Sequence, residues 1–350
     1  MKKTFMLAVI TLFPLSVLAT WFHWPELSRF VLYGATIISL AFYMSRATEN
    51  LSILVGERIG GLINATFGNA VELLIAIFSL KAGLYSLVLA SISGSVIGNL
   101  LFNGGLSFFT GGLKHKRLQF NVHNARHNSA LLIFAVIVAF LFPKIFSYEL
   151  AKADVFKLSL GSAVVMIFLY LSGLYFKLVT HRGVYSAGEQ EAEASEKAEW
   201  GFWRSLVTLL VLTAAAAYVS ENLVETFDFV SNRLGLSEIF IGLVIVAVIG
   251  NAGEYITSIM MAAKNRVAVT VEISVGATLQ IAMFVAPVLV FVSLLFGRPL
   301  ALIFTMPEMA SMVLAVLLNI MIMNDGDTNW FEGATLVAAY AIMAVGFYLL

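Results

Sequence analysis

Two short stretches of this chain set a carboxylate where carboxylates are rare. Gly68-Asn69-Ala70-Val71-Glu72 and Gly250-Asn251-Ala252-Gly253-Glu254 each end on a glutamate embedded in long apolar sequence. Extended to ten residues, 68–77 and 250–259 agree at five positions at an offset of 182. A second block repeats at the same offset: Gly94-Ser95 stands against Gly276-Ala277, and Gly98-Asn99 against Gln280-Ile281. Asn69 and Asn251 lie three residues before their glutamates, on the same face of a helix, so each copy presents an amide oxygen beside a carboxylate. The neighbouring glycines allow close backbone approach, or a helix break that releases carbonyl oxygens as ligands.

The ligands on offer are carboxylate, amide, carbonyl and hydroxyl oxygens, the last from Ser95 and Thr278. Oxygen donors suit hard cations, Ca2+ first, because it accepts six to eight oxygens in flexible geometry while Mg2+ holds its waters too tightly. Zinc and copper would want Cys or His. There is no Cys, and His23, His115, His123, His127 and His181 all map to loops or span ends. No cofactor is expected; Ca2+ would be cargo. Burial and a second nearby carboxylate both favour the protonated form of a glutamate. One Ca2+ or two protons would therefore neutralise the pair, and a bundle that reorients only when neutral would exchange at least two protons per Ca2+.

The elements that must position these residues are membrane helices. The chain has 350 residues, 60% hydrophobic and 12% charged, with a mean hydropathy of +0.92. Soluble domains carry about 25% charged residues, so this much apolar surface needs lipid as its solvent. The net charge of zero gives no pull toward nucleic acid. An apolar helix needs about 20 residues to cross the hydrocarbon. Eleven stretches qualify: 5–22, 29–45, 62–81, 85–110, 129–145, 158–178, 203–220, 238–262, 268–296, 302–323 and 331–350. An ionised carboxylate mid-span costs about 3 kcal/mol or more, which makes Glu72 and Glu254 functional candidates by default.

The first stretch follows Lys2-Lys3 and ends near Val17-Leu18-Ala19, a pattern shared by cleavable signals; it reads here as a retained first helix. With the N-terminus cytoplasmic and the C-terminus outside, fourteen of the 21 Lys and Arg fall inside and seven outside, the bias the positive-inside rule asks for. The longest polar segment, 180–201, carries the acidic run from Glu189 to Glu199. The expected fold is thus an all-α integral membrane protein of about eleven transmembrane helices: a first helix (1–28), a five-helix repeat (29–179), an acidic cytoplasmic loop (180–201) and a second, inverted five-helix repeat (202–350). An odd number of spans turns the second copy upside down, as in many secondary transporters. The setting would be the cell membrane, and a homo-oligomer is left open.

The stretch Gly60-Gly61-Leu62-Ile63-Asn64-Ala65-Thr66-Phe67-Gly68-Asn69-Ala70-Val71-Glu72, with Gly94-Ser95-Val96-Ile97-Gly98-Asn99, resembles the first signature repeat of the cation/calcium exchanger superfamily in its Ca2+/proton antiporter branch. Gly250-Asn251-Ala252 with Glu254, and Leu279-Gln280-Ile281-Ala282, resemble the second. The resemblance implies that Glu72 and Glu254 take Ca2+ and protons in alternation, that Asn99 and Gln280 flank the pathway, and that spans three, four, eight and nine form the centre. Sodium-coupled relatives carry Ser/Thr-Pro-Glu in these repeats; Val71 and Gly253 precede the glutamates here, which favours protons. The chain departs from the branch at Tyr255, where His is usual, at Ala277, where Ser is usual, and at Asn103, where an apolar residue is usual.

Competing classes are a divalent-cation channel or uniporter, a sodium-coupled exchanger and an intramembrane enzyme. A channel usually builds its acidic ring from several subunits. A zinc protease would need His-Glu-x-x-His, which the sequence lacks, and the spans are almost devoid of Asp. Asp325-Gly326-Asp327 reads as a polar turn, His123 and His127 as part of a basic interfacial cluster, and Glu49, Glu221 and Glu272 as secondary groups near span ends. The acidic run reads as a solvated loop. Deleting residues 187–199 is therefore expected to leave the Ca2+ dependence of transport unchanged, measured as Ca2+ uptake into vesicles.

Overall fold

The computed structural model describes residues 2–181 and 198–350. Most of the acidic run expected between 180 and 201 lies outside these residues. The chain is all-α apart from a two-residue antiparallel pair, β1 (Leu118–Gln119) with β2 (Asp327–Thr328). The first helices are α1 (Lys2–Trp21), α2 (Glu26–Val55), α3 (Glu57–Phe67) and α4 (Ala70–Ala82). Next come α5 (Tyr85–Ile97), running through a π-turn at Gly98–Asn103 into α6 (Gly104–Lys114), then α7 (Val122–Leu132), α8 (Phe142–Phe146) and α9 (Lys152–Tyr175). From residue 202 onward follow α10 (Phe202–Glu225), α11 (Phe227–Leu234), α12 (Glu238–Phe240), α13 (Ala247–Gly250) and α14 (Ala252–Ala263). The last are α15 (Val267–Gln280), a π-turn at Ile281–Val285, α16 (Ala286–Leu295), α17 (Met306–Met323) and α18 (Trp330–Leu349).

Among the described residues, eight helices are long and apolar enough to cross a membrane. The pair Glu238–Gly250 and Ala252–Ala263, bent by 59° at its break, passes the same test when its two halves are taken together. The apolar part of α1, Phe5–Trp21, is shorter. The third expected span, 62–81, is two helices of 11 and 13 residues. These breaks are local in cause. Asn69 (φ −105°, ψ 27°) and Asn251 (φ −86°, ψ 3°) sit near the bridge region outside helical geometry, and asparagine competes with the helix for its own backbone.

The chain divides into two compact units. The first comprises Met1–Ser91 and Lys197–Glu254, with Leu350. Its core gathers Tyr33, Ile37, Leu40 and Met44 of α2, Ile75 of α4 and Leu209, Ala216 and Val219 of α10. Polar ties close its ends. Asn50 Oδ1 accepts the Glu199 and Trp200 backbone N–H groups at 2.7 and 3.2 Å, and Thr20 donates to Asn222 Oδ1 at 3.1 Å. Lys81 pairs with Glu221 at 2.9 Å and Arg46 with Glu49 at 3.2 Å, so two of the three acidic groups read as secondary serve ion pairs in this unit.

The second unit comprises Ile92–Glu196 and Tyr255–Leu349. Its helix of residues 85–114 has 78% of its apolar window buried, against 17% for Ala153–Thr180, so the first is enclosed by protein and the second faces lipid. Phe168 and Ile342, more than 70% exposed, belong to that lipid-facing surface. Glu272 pairs with Lys177 and Asp327 with Arg117, which gives the Asp325-Gly326-Asp327 turn a structural partner. The side chain of His123 lies outside the described set.

In this unit α6 and α18 touch backbone to backbone. A Cβ built on Gly333 would lie 2.3 Å from the Phe109 nitrogen and 2.7 Å from the Gly105 carbonyl oxygen, whereas one on Gly346 of the same helix meets nothing within 4 Å. Overpacking a rigid contact costs about 1–3 kcal/mol, while alanine in an open helical site gains up to about 1 kcal/mol over glycine. Gly333→Ala is therefore expected to lower the melting temperature in detergent and Gly346→Ala to hold or raise it, measured by thermal unfolding of the purified protein.

Candidate functional site

In the first unit, both helix breaks do the same thing to the carboxylate that follows. Asn69 precedes α4, and its carbonyl accepts the Leu73 N–H at 3.0 Å. Asn251 precedes α14 in the same way. Glu72 and Glu254 are consequently the third residue of their half-helices, in the first turn, instead of mid-helix residues of a continuous span. The first turn carries N–H groups without intrahelical partners and the positive end of the helix dipole, which lowers the cost of a negative charge in an apolar interior.

Asn-x-x-Glu is also the spacing by which a third-position glutamate reaches back to close a cap. That closure is not made at Glu72. Its side chain is buried, and neither carboxylate oxygen has a hydrogen-bond partner among the described residues. Glu254 Oε2 is buried and unpartnered as well. Native buried polar groups are satisfied with few exceptions, and such exceptions mark places where a ligand, ion or water binds. The end of α13, which leads through Asn251 into the helix of Glu254, reaches the Glu72 side chain.

Glycine makes that proximity feasible. A Cβ on Gly250 would fall 2.8 Å from Cγ of Glu72, so the Glu72 side chain lies directly against the end of α13. A Cβ on Gly253 would fall 2.7 Å from the Ala41 carbonyl oxygen, which brings α14 against the backbone of α2. A narrow cleft of about 10 Å³ opens here, lined by Ala41, Met44 and Ser45 of α2, Phe67, Gly68 and Val71 at the first break, and Gly250, Gly253 and Glu254 at the second. Asn251 is 1% exposed, and its amide nitrogen donates to the Ala247 carbonyl at 2.8 Å, turning Oδ1 the other way. Asn69 is 3% exposed.

Among the described residues no three His, Cys, Asp or Glu side chains gather where they could hold a metal. A bound Ca2+ would then complete its shell with amide and carbonyl oxygens and water.

The remaining expected site residues belong to the second unit. Asn99 opens the π-turn that joins α5 to α6; it is fully buried, its carbonyl accepts from the Ser274 hydroxyl, and both side-chain polar atoms lack partners among the described residues. Thr278 donates to the Ser274 carbonyl one turn back, at 2.9 Å. Gln280 ends α15 where its own π-turn begins, and Ser95 is 2% exposed in α5. Glu72, Glu254, Asn69 and Asn251 are thus brought together in one unit, and Asn99, Ser274 and Thr278 in the other.

Ser274 and Asn319 escaped the sequence reading. Asn319 donates to the Leu100 carbonyl at 3.3 Å, so it and Ser274 satisfy carbonyls loosened by the π-turn. The signal for Ser274 was weak, a hydroxyl one turn before Thr278; for Asn319 it was an amide amid an apolar helix. Glu308, also unflagged, is 2% exposed and fully occupied. It closes a capping box with Thr305 at the start of α17 and accepts from Ser93 at 3.0 Å.

The model of the family described as sodium/calcium exchanger protein matches residues 26–179 and 204–349 of this chain. The Ca(2+)/H(+) antiporter ChaA of Bacillus subtilis is 57% identical over 351 residues, covering 100% of both chains. The Ca(2+)/H(+) antiporter of Aphanothece halophytica is 38% identical, covering 99% of this chain and 97% of its own. The structure of native YfkE superposes with a TM-score of 0.88 at 53% identity, over 99% of this chain and 100% of that one. That of the H+/Ca2+ exchanger CAX, at a TM-score of 0.72 and 17% identity, covers 99% and 92% and shares the fold. With two broken helices that each carry a glutamate in the first turn after the break, and with matches running the length of both halves, the chain is a multi-pass membrane protein of the sodium/calcium exchanger family, in its Ca2+/H+ antiporter branch.

Proposed function

We propose that this chain exchanges Ca2+ for protons across its membrane by alternating access, with Glu72 and Glu254 binding Ca2+ and protons in turn. The observation that carries the assignment is the pair of first-turn carboxylates: Glu72 is buried against Gly250 with neither oxygen hydrogen-bonded among the described residues, and Oε2 of Glu254 is likewise buried without a partner. Two ionised carboxylates in a low-dielectric cleft repel each other. One Ca2+ or two protons cancel that charge, so a bundle that rearranges only in the neutral state couples the two fluxes. Asn69 and Asn251 supply amide oxygens beside the pair, and Asn99, Gln280, Ser95 and Thr278 flank the ion's route. The relatives named above are Ca2+/H+ antiporters, which supports proton coupling over a channel, a uniporter or sodium coupling.

The architecture that goes with this function is one N-terminal helix and two inverted five-helix repeats, eleven spans in all, with the N-terminus cytoplasmic and the C-terminus outside. Two observations support it: both repeats break at the same Gly-Asn step, and the family model matches the chain in two segments of similar length. One chain supplies both carboxylates, so an assembly of copies is not required for exchange.

In proteoliposomes with an imposed pH gradient, the wild-type chain is expected to drive Ca2+ uptake, and a sodium gradient is not expected to replace it. Glu72→Gln and Glu254→Gln should each abolish that uptake while the protein stays folded in the membrane; full uptake by either variant would overturn the site assignment. Gly250→Ala should cut the rate by about tenfold or more, because its methyl displaces the Glu72 side chain and misplaced ligands cost rate steeply.

A further inference from the structure

The enclosed helix of the second unit carries a polar stripe that runs past Ser95 and Asn99 to residues the ion's route does not use, Asn103 and Ser107. Ser95, Asn99, Asn103 and Ser107 recur every fourth residue, and all are buried, the last three completely. On a plain α-helix a spacing of four drifts by about 40° per step and would leave the face. The π-turn at Gly98–Asn103 takes up an extra residue in the middle of the run and corrects the drift. The stripe covers about 18 Å of helix, more than half of the hydrocarbon thickness.

Other helices extend it. Ser107 donates to Asn103 Oδ1 at 3.5 Å and shares a hydrogen bond with Ser258 of α14 at 3.0 Å. Ser274 and Asn319 bond to the π-turn carbonyls of Asn99 and Leu100. Four polar atoms of this cluster have no partner among the described residues: both side-chain atoms of Asn99, Nδ2 of Asn103 and Oδ1 of Asn319. They are donors and acceptors in mixture, on side chains at most 1% exposed. Orphans of both kinds in one buried cluster are the setting in which a protein holds internal water, which needs two to four such partners. These amides and hydroxyls carry no formal charge, so the cluster does not offer the anionic ligands that Ca2+ selects.

We propose that Asn99, Asn103, Ser107, Ser258 and Asn319 hold a chain of ordered waters that carries protons along this helix, a route separate from the Ca2+ ligands. Each water accepts one proton and releases another, so charge moves while the side chains keep their protonation. The inference rests on the antiport reading above, and it gives Asn103 a role in proton delivery.

The test separates proton movement from Ca2+ movement. In proteoliposomes, Ca2+/H+ exchange needs protons to travel, whereas exchange of external Ca2+ for internal radiolabelled Ca2+ does not. Asn103→Leu, with the same number and branching of side-chain heavy atoms, is expected to slow Ca2+/H+ exchange about fivefold or more while Ca2+/Ca2+ exchange stays within about twofold. Ser107→Ala should show the same split to a smaller degree, and Asn103→Ser, which keeps a hydroxyl, should recover most of the lost rate. Equal loss in both modes would mean a packing role and overturns the proposal, as does no change in either mode for both Asn103→Leu and Ser107→Ala. Should Asn103→Leu fail to insert, Ser107→Ala decides alone. A wild-type chain that exchanges Ca2+ for Ca2+ but moves no protons would sink the antiport reading itself, and this inference with it.

Discussion

The structure turns on the difficulty of keeping two carboxylates in an apolar interior. Stripped of water, an ionised glutamate loses several kcal/mol of hydration, and a second one beside it adds repulsion. The described protein places no Lys or Arg against Glu72 or Glu254; the charged pairs it does form, such as Lys81–Glu221 and Lys177–Glu272, lie at exposed positions. What the fold offers instead is a helix start. Breaking the span just before each glutamate puts the carboxylate in a first turn, where N–H groups and the helix dipole ease its charge without neutralising it. Partial relief is what a transport site needs, since a fully paired carboxylate would hold neither cation nor proton reversibly.

That device sets requirements on its surroundings. Gly250 must lack a side chain for Glu72 to lie against α13, and Gly253 must lack one for α14 to meet the backbone of α2. Tyr33, Ile37, Leu40 and Met44 then fix α2 in the core, while Ala41, Met44 and Ser45 line the cleft. Packing and access are therefore managed by adjoining faces of one helix, with Met44 at their border. In the second unit the same problem, a polar group inside the membrane, is solved differently. The π-turns loosen backbone carbonyls, and Ser274 and Asn319 satisfy them from neighbouring helices. Neutral amides and hydroxyls suffice there because no formal charge has to be accommodated.

Much of this was legible in the residues. The offset of 182 between the two Gly-Asn-Ala-x-Glu copies, the cost of a mid-membrane carboxylate and the lack of Cys or clustered His led to Glu72, Glu254 and an oxygen-ligand cation site. The helix breaks were less visible, because a hydropathy window averages across Gly68-Asn69 and Gly250-Asn251 and reports one apolar span. The Asn-x-x-Glu spacing does mark a helix start, but only if the preceding residues are already known to end one. The stripe through Asn103 and Ser107 was hidden for a related reason: period four reads as a drifting face until the π-turn is seen to realign it.

Sequence alone determined that this chain lives in lipid, that it carries two related acidic motifs and that those motifs favour a hard cation over a soft one. These follow from composition, transfer energies and ligand chemistry, which depend on residue type and spacing. Only the tertiary structure decided that Glu72 rests on Gly250, that Glu308 is occupied by Thr305 and Ser93, and which buried polar atoms remain unsatisfied. Those facts depend on which helices meet and at what distance, and residues far apart in the chain acquire that relation only when the bundle is packed.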